Sequence, residues 1–120
     1  DPIIFTSEAD DLDDPDDLGI QNGLWGGVVI LGRARTNTVP GVGAIEGIPT
    51  SEVRGLYGCG DTFSCDDADD SGVFRYVSIR HGGTDIGANN ELNGLTLGAV
   101  GSGTTVEYVA RQWITSTMSR

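Results

Sequence analysis

Two runs of closely spaced carboxylates are the residues of this sequence best suited to chemistry. Twelve of the eighteen Asp and Glu residues fall within residues 8–17 and 61–70. Because Ca²⁺ takes about six to eight oxygen ligands from flexible loops, loops this rich in carboxylates could wrap around the ion. The sequence therefore predicts bound Ca²⁺ as cofactor. The candidate ligands are Asp11, Asp13, Asp14, Asp16, Asp17, Asp67, Asp69 and Ser71.

The second acidic run opens like a calcium loop but does not close like one. Residues 67–72 read Asp-Ala-Asp-Asp-Ser-Gly, the usual opening of such a loop. Where a bidentate Glu would close an EF-hand stands Ser78, and a strand pattern follows instead of a helix. A solvated acidic loop on a salt-adapted surface explains the same residues, so both interpretations stay open.

The only two cysteines, Cys59 and Cys65, are close enough in sequence to form a disulfide. The bridge would close a small loop, stabilise the fold by roughly 2 kcal/mol and indicate an oxidising compartment. A zinc site is disfavoured, because the only histidine, His81, is distant in sequence and the cysteine spacing is not Cys-x-x-Cys.

Arg80, His81 and Asp85 are the residues that suggest catalysis, since they cluster at the end of a strand pattern. Together they could supply a base, a charge stabiliser and an acid for hydrolytic or lyase chemistry. No Ser or Cys nucleophile motif and no second His accompany them, so a turn role for His81 is the favoured interpretation.

The formal net charge is −11, and all seven basic residues are Arg. Nucleic acid and anionic membranes both require a basic face, so they are disfavoured as partners. The longest apolar run, near residues 28–31, is far too short for a membrane span. Nineteen glycines and four prolines disfavour long helices.

A repeated strand pattern must position these side chains. Apolar residues separated by two and then one other residue stand at residues 74–79, and shifts of 49 back and 32 forward reproduce the pattern at residues 25–30 and 106–109. The spacing suits a short strand entered through a bend. A second, shorter strand type recurs at three places: residues 3–5, 44–47 and 94–97. Constant strands joined by connections of varying length are typical of a solenoid.

We therefore expect an all-β fold, a right-handed parallel β-helix of about two to three coils with long acidic loop insertions. The coils should cover residues 1–110 and leave residues 111–120 as a tail, because burying Arg111 in the core row would cost several kcal/mol. The expected inward stacks are Trp25/Phe74/Val106, Val28/Val77/Val109 and Ile3/Ile45/Leu95. The same overlay pairs Arg75 with Glu107 as an ion pair and Tyr76 with Tyr108 as an aromatic pair.

Several whole phrases of the sequence resemble one family. They are residues 2–11, 23–32, 45–50, 56–58, 75–83 and 93–109. The chain resembles the exported right-handed parallel β-helix proteins of bacteria, whose surface proteins often carry a C-terminal sorting domain. The resemblance implies a β-solenoid that is secreted or held at the cell surface, with a surface or matrix role and no catalytic set to transfer. The cysteine segment is longer than expected for the family, and residues 110–120 do not continue its repeat.

Two classes of function follow from these observations. The first is a non-enzymatic extracellular structural module of a bacterial surface or matrix protein. The second is a carbohydrate-binding or polysaccharide-lyase-like β-helix, with extracellular polysaccharide as partner. A lyase would need carboxylates and Arg on one strand face, whereas the acids here fall in connections, so the structural interpretation is favoured.

The ends of the repeat lead to a prediction of self-association. A solenoid exposes edge backbone at both ends and normally needs polar caps. Only Asp1 and Pro2 precede the first apolar strand, and the tail is apolar but off the repeat. We expect copies to pack head to tail into an oligomer or filament, with these residues at the contact: Ile3, Phe5, Trp113 and Ile114.

Overall fold

The computed structural model describes residues 1–14, 16–19, 21–87 and 90–112. Within these ranges the chain forms nine β-strands and one short 3₁₀ turn, Val53–Gly55, and has no α-helix. The strands are β1 (Ile3–Phe5), β2 (Val28–Leu31), β3 (Val42–Ala44), β4 (Leu56–Gly58), β5 (Val73–Arg80), β6 (Thr84–Gly87), β7 (Asn90–Leu92), β8 (Leu95–Gly98) and β9 (Thr105–Gln112). None of the described residues belongs to a helix long and apolar enough to cross a membrane.

Strand β5 lies at the centre of a parallel three-stranded sheet, with β1 on one side and β9 on the other. Across β9, Phe74 lies opposite Val106 and Val77 lies opposite Val109. Across β1, Val77 lies opposite Ile3. The shift of 32 residues between β5 and β9 is therefore the one that the apolar pattern predicts.

The hydrophobic core lies between this sheet and a second parallel pair, β2 and β8. At its centre Val77, Ile79 and Leu95 are 3%, 0% and 1% exposed. Burial of each such side chain contributes about 1.5–3 kcal/mol. The indole N–H of Trp25 donates to the Arg80 carbonyl at 2.7 Å, so this ring packs at the core edge without losing its hydrogen bond.

A bend interrupts the ladder between β5 and β9. The register skips Tyr76 and Tyr108, whose φ angles are 54° and 53°. In an unbroken strand, residues three apart face opposite sides of the sheet. The bend at Tyr76 lets Phe74 and Val77 pack in the same core, which explains the apolar spacing.

The expected overlay of residues 25–30 on β5 is wrong. Val28 of β2 lies opposite Leu95 of β8, and Trp25 forms a single bridge with Gly82 instead of joining the stacks of β5. Both segments share the apolar spacing because both border the same core. That spacing reports burial and does not say which strand is the hydrogen-bonded neighbour.

The expected stack of Ile3, Ile45 and Leu95 is also wrong. Ile3 lies opposite Val77, and Leu95 lies opposite β2. Ile45 is buried just after β3, where its backbone N–H donates to the Gly55 carbonyl at 2.9 Å. Residues 42–58 form a separate antiparallel hairpin, β3–β4, and a second hairpin, β6–β7, also lies outside the parallel ladders.

Strand β9 continues to Gln112, so the expected boundary between residues 110 and 111 falls inside a strand. Arg111 lies opposite Ile79 in the register and is nevertheless exposed. Among the described strands β9 is an edge of its sheet, which leaves the guanidinium in solvent and removes the expected burial cost. Trp113 and Ile114 lie outside the described residues.

Candidate functional site

Tyr76 of β5 and Tyr108 of β9 form an aromatic pair on the outer surface of the parallel sheet, as the 32-residue repeat predicts. Their rings are parallel to within 2°, with centroids 5.0 Å apart. The two residues are 57% and 66% exposed. Because the rings stack, each covers one face of the other, and the exposed part of each ring is its outer face and its edge with the hydroxyl group.

The backbone holds both tyrosines in the left-handed region, and this conformation costs roughly 1–2 kcal/mol for each L-residue. Ring stacking returns about 0.5–1.5 kcal/mol. Strained backbone of this kind persists where the surrounding structure enforces it, and it concentrates at ligand-binding positions. We therefore take the tyrosine pair as the centre of the candidate site.

A groove of about 700 Å³ runs beside the tyrosine pair. Arg80 and Gln112 contribute polar side chains to its lining, and Asp1 and Pro2 contribute to another part. The Arg80 Nε–H donates to Ser78 Oγ at 3.3 Å, which helps to orient the guanidinium. The volume lies within the range of about 300–1,000 Å³ that is usual for small-ligand sites.

The ion pair between Arg75 and Glu107 lies next to the tyrosines along the same two strands. The two side chains are 43% and 42% exposed. Ion pairs this accessible contribute about 0–1 kcal/mol, because water screens them. The pair therefore helps to set the register of β5 and β9 more than it stabilises the fold.

His81 lies apart from this groove and is 2% exposed. Its Nδ1 lies 2.5 Å from the Gln21 carbonyl, and its Nε2 lies 4.0 Å from Asp10 Oδ1. Asp10 in turn accepts a hydrogen bond from the Thr6 hydroxyl at 2.6 Å. These contacts attach the segment after β1 to the end of β5.

Arg80, His81 and Asp85 do not converge on one cavity. Arg80 lines the tyrosine groove, whereas His81 is buried at the first acidic segment. Asp85 is exposed, and its carboxylate accepts a hydrogen bond from the Gly87 backbone N–H at 2.7 Å within β6. The side chains named as possible catalysts therefore have separate local roles.

The carboxylates of the first acidic run bond to backbone groups near them in sequence. Asp11 Oδ1 accepts from the Asp13 N–H at 3.0 Å, and Asp14 Oδ1 accepts from the Asp16 N–H at 3.2 Å. Asp17 Oδ2 accepts from the Asp11 N–H at 2.7 Å. Such bonds hold turns in place and explain why Asp is frequent in this segment.

The second acidic run includes an ion pair. Asp67 accepts from the backbone N–H of Arg35 and pairs with its guanidinium, and these two interactions lower the pKa of the Asp67 carboxyl. Asp69 Oδ2 accepts from the Ser71 hydroxyl at 2.8 Å. Across the part of the chain that the structure describes, no group of three or more His, Cys, Asp or Glu residues could hold a metal ion. Calcium binding stays a prediction.

Cys59 and Cys65 form a disulfide. Cys59 is buried at 3% exposure, and its backbone N–H donates to the Gly41 carbonyl at 3.1 Å. Phe63 belongs to the closed loop, and the Arg33 guanidinium lies 3.9 Å from the centroid of its ring. The loop is thus attached both to the hairpin region and to the chain after β2.

The fold and the sequence agree with a known family. Residues 1–114 match the family described as the pectate-lyase like beta helix domain. The chain belongs to this family. No curated protein and no solved structure matches it. The β-helix resemblance is confirmed at the level of the family, while bacterial origin, export and a sorting domain stay predictions.

In this pectate-lyase-like β-helix chain, the repeat identifies the tyrosine pair but not the groove beside it. Pro2 and Gln112 reach the groove only because β1 and β9 flank β5. The sequence pattern did not signal this, because the register that places Pro2 next to Tyr76, one residue beyond the Ile3–Val77 pair, is decided by the tertiary structure. At the same edge Ile3 is 61% exposed, and the Phe5 ring lies 5.9 Å from that of Phe74.

Proposed function

We propose that this chain is a non-catalytic, extracellular β-helix module of a bacterial surface or matrix protein, and that it binds a neutral polysaccharide on the tyrosine groove. The observation that carries the proposal is the exposed, parallel stack of Tyr76 and Tyr108. Each pyranose ring has a C–H-rich face that packs on an aromatic ring, and hydroxyl groups that seek donors and acceptors.

The polar groups around the tyrosines support this ligand class. The Arg80 guanidinium and the Gln112 amide line the same groove and can bond to ring hydroxyls. The net charge of −11 disfavours a polyanion by repulsion over the whole molecule. A neutral polysaccharide has hydroxyl groups that can bond to these two side chains, and it carries no negative charge that the protein would repel.

The non-catalytic part of the proposal rests on the composition of the groove. Glycoside hydrolysis usually needs two carboxyl groups on either side of the scissile bond. Among the described residues that line the groove, Asp1 is the only one that carries a carboxylate side chain. A polysaccharide hydrolase therefore has less support from this surface, and the lyase alternative is tested by chain cleavage.

Affinity electrophoresis and calorimetry with neutral glucans, galactans and mannans test the proposal, with polygalacturonate as the anionic comparison. We expect a neutral polymer to bind, and Tyr76→Ala or Tyr108→Ala to weaken binding about two- to tenfold, since aromatic stacking contributes about 0.5–1.5 kcal/mol. Val73→Ala is the matched control, because Val73 is also an exposed residue of β5 but does not line the groove. Unchanged binding in both tyrosine variants would overturn the proposal. Chain cleavage during incubation would favour the enzyme instead.

Self-association into a filament is the second candidate, and the edges of the parallel sheet favour it. Among the described strands, β1 and β9 each have a neighbour on one side only, and all three strands run parallel. The free edge of β9 in one copy could therefore pair with the free edge of β1 in the next. Light scattering with Ile3→Lys as the edge variant tests this idea. A monomer at all concentrations and salt levels would exclude it.

A further inference from the structure

A second cavity, of about 510 Å³, lies on a different face of the molecule. Strand β8 lines one side of it, and the hairpin β3–β4 and the chain after β2 line others. It shares no lining residue with the tyrosine groove. A ligand could therefore occupy this cavity whether or not the tyrosine groove is filled.

Tyr57 of β4 shapes this cavity through two glycines. A side chain at Gly98 would place its Cβ 2.7 Å from the first ring carbon of Tyr57. A side chain at Gly43 would place its Cβ 2.6–2.8 Å from the hydroxyl end of the same ring. The ring thus spans both glycines, and it holds the hairpin close to β8 while leaving space beside it.

Two glutamates, Glu46 and Glu91, also line the cavity, and both are exposed. Gly47 packs against Ile86 and lies so near Asn90 that an added Cβ would be 3.1 Å from the Cβ of that residue. This contact brings together the two segments that carry the glutamates.

Neither Glu46 nor Glu91 has an ion-pair or hydrogen-bond partner for its carboxylate among the described residues. The one guanidinium among the lining residues, that of Arg35, is paired with Asp67. The mouth of the cavity therefore favours a positive charge.

Hydroxyl groups supply the second feature of the cavity. The Thr36 hydroxyl donates to the Gly41 carbonyl at 3.0 Å, and it lies 2.6 Å from the Thr38 hydroxyl. Because Thr36 has a single hydroxyl proton and donates it to Gly41, Thr38 must be the donor between the two. The Thr38 oxygen is then left with acceptor capacity only. Thr96 adds a further hydroxyl to the lining.

We propose that this cavity binds a small hydroxylated organic cation, with an amino sugar that carries a free amine as the best-fitting class. The ammonium group lies between Glu46 and Glu91. Ring hydroxyls donate to Thr38 and exchange hydrogen bonds with Thr96. The volume, about 510 Å³, accommodates one or two sugar units.

Calorimetry with glucosamine, glucose and N-acetylglucosamine tests the charge requirement directly. We expect glucosamine to bind at one site and the two uncharged sugars to bind at least about tenfold more weakly, because they lack the ammonium group. Equal binding of N-acetylglucosamine would overturn the proposal. Putrescine, which has the charge without the hydroxyls, should also bind more weakly, and equal affinity would overturn the hydroxyl requirement.

Variants locate the site. Glu46→Gln and Glu91→Gln should each weaken glucosamine binding about fivefold, the effect of one charge near 4 Å in water. Glu8→Gln, an exposed acid that does not line the cavity, should have no effect. Chemical-shift changes at Thr96 in the wild-type chain provide a readout that needs no variant. Tyr108→Ala should leave glucosamine affinity unchanged, and a loss there with full binding in both glutamine variants would assign the ligand to the tyrosine groove instead.

Discussion

At the scale of single residues, the backbone conformation of Tyr76 and Tyr108 determines where their aromatic rings lie. Both residues combine a positive φ with an exposed aromatic ring, and the register between β5 and β9 skips both. The two features have one cause: the bend that turns Val77 into the core also turns the ring before it outward. Strain and exposure at this position are therefore coupled.

Asn tolerates the left-handed conformation better than Ala, since its short polar side chain bonds locally. We expect the free energy of unfolding of Tyr108→Asn to exceed that of Tyr108→Ala by about 1 kcal/mol, although both variants lose the ring. Chemical denaturation of the two variants measures this difference. At Val106, where β9 is extended, the same comparison should show no advantage for Asn. Equal stability of the two Tyr108 variants would contradict the strain argument.

The pH dependence of Asp67 is a second residue-scale prediction. Hydrogen bonds from the backbone N–H and guanidinium of Arg35 lower the pKa of Asp67 below its ordinary value of 3.8. A carboxyl with a lowered folded-state pKa stabilises the fold above its ordinary pKa, and the contribution is lost as pH falls through the folded value. Asp67→Asn should thus lower the melting temperature slightly at neutral pH and not at all in stronger acid.

The effect should be small, because both partners of this ion pair are exposed. Asp61→Asn is the control, since Asp61 is an exposed acid of the same run whose carboxylate has no partner among the described residues. A difference between Asp67→Asn and wild type that persists at acid pH would show that the loss is not electrostatic.

At the scale of elements, the segments between strands depend on a few long-range attachments. The chain from Thr6 to Gln21 is attached to β5 through His81, and the loop from Cys59 to Cys65 is closed by its disulfide. Neither segment contains a strand within the described residues. Their order therefore rests on these contacts more than on backbone ladders.

His81→Ala should release the first acidic segment. The substitution removes the group bonded to the Gln21 carbonyl and leaves Asp10 without its buried neighbour, at a cost of about 1–3 kcal/mol. Amide hydrogen exchange in residues 6–21 should rise more than exchange in β5. Gln21→Ala is the matched control, because it keeps the backbone carbonyl that His81 contacts. Equal protection in both variants would contradict the attachment.

Replacing both Cys59 and Cys65 with Ser should lower the free energy of unfolding by about 2 kcal/mol, the chain-entropy value for so short a loop. The reason is that the reduced chain gains freedom in the unfolded state. Thermal or denaturant unfolding of the two proteins measures the change. A reductant should destabilise the wild type by a similar amount and leave the double Ser variant unaffected. Equal effects of the reductant on the two proteins would contradict a stabilising disulfide.

At the scale of the whole molecule, a net charge of −11 opposes compactness. We expect the melting temperature to rise with sodium chloride through screening. If the acidic runs hold Ca²⁺, a small stoichiometric amount should raise it further, and Mg²⁺ should not replace Ca²⁺ fully. A melting temperature in low salt that is unaffected by Ca²⁺ and by a chelator would remove the calcium proposal.

The sequence by itself determined the neighbours that a constant repeat relates. Residues 74–79 and 106–109 share spacing at a fixed shift of 32, and this shift predicts the Arg75–Glu107 and Tyr76–Tyr108 pairs. Local spacing also predicts the disulfide, because six positions in a turn-rich segment leave few other arrangements. These contacts join residues within one repeat interval, and residues at this spacing in the sequence are also neighbours in the structure.

Only the tertiary structure decided which strand lies beside β2. Val28 has the apolar spacing of β5 but pairs with Leu95, because an apolar residue is equally well buried against any strand that borders the core. The hydrogen-bond register, which depends on the lengths of the intervening segments, determines which strand pairs with β2. The same reason explains both cavities: each is lined by segments far apart in sequence, which the fold brings together only after every strand has found its neighbour.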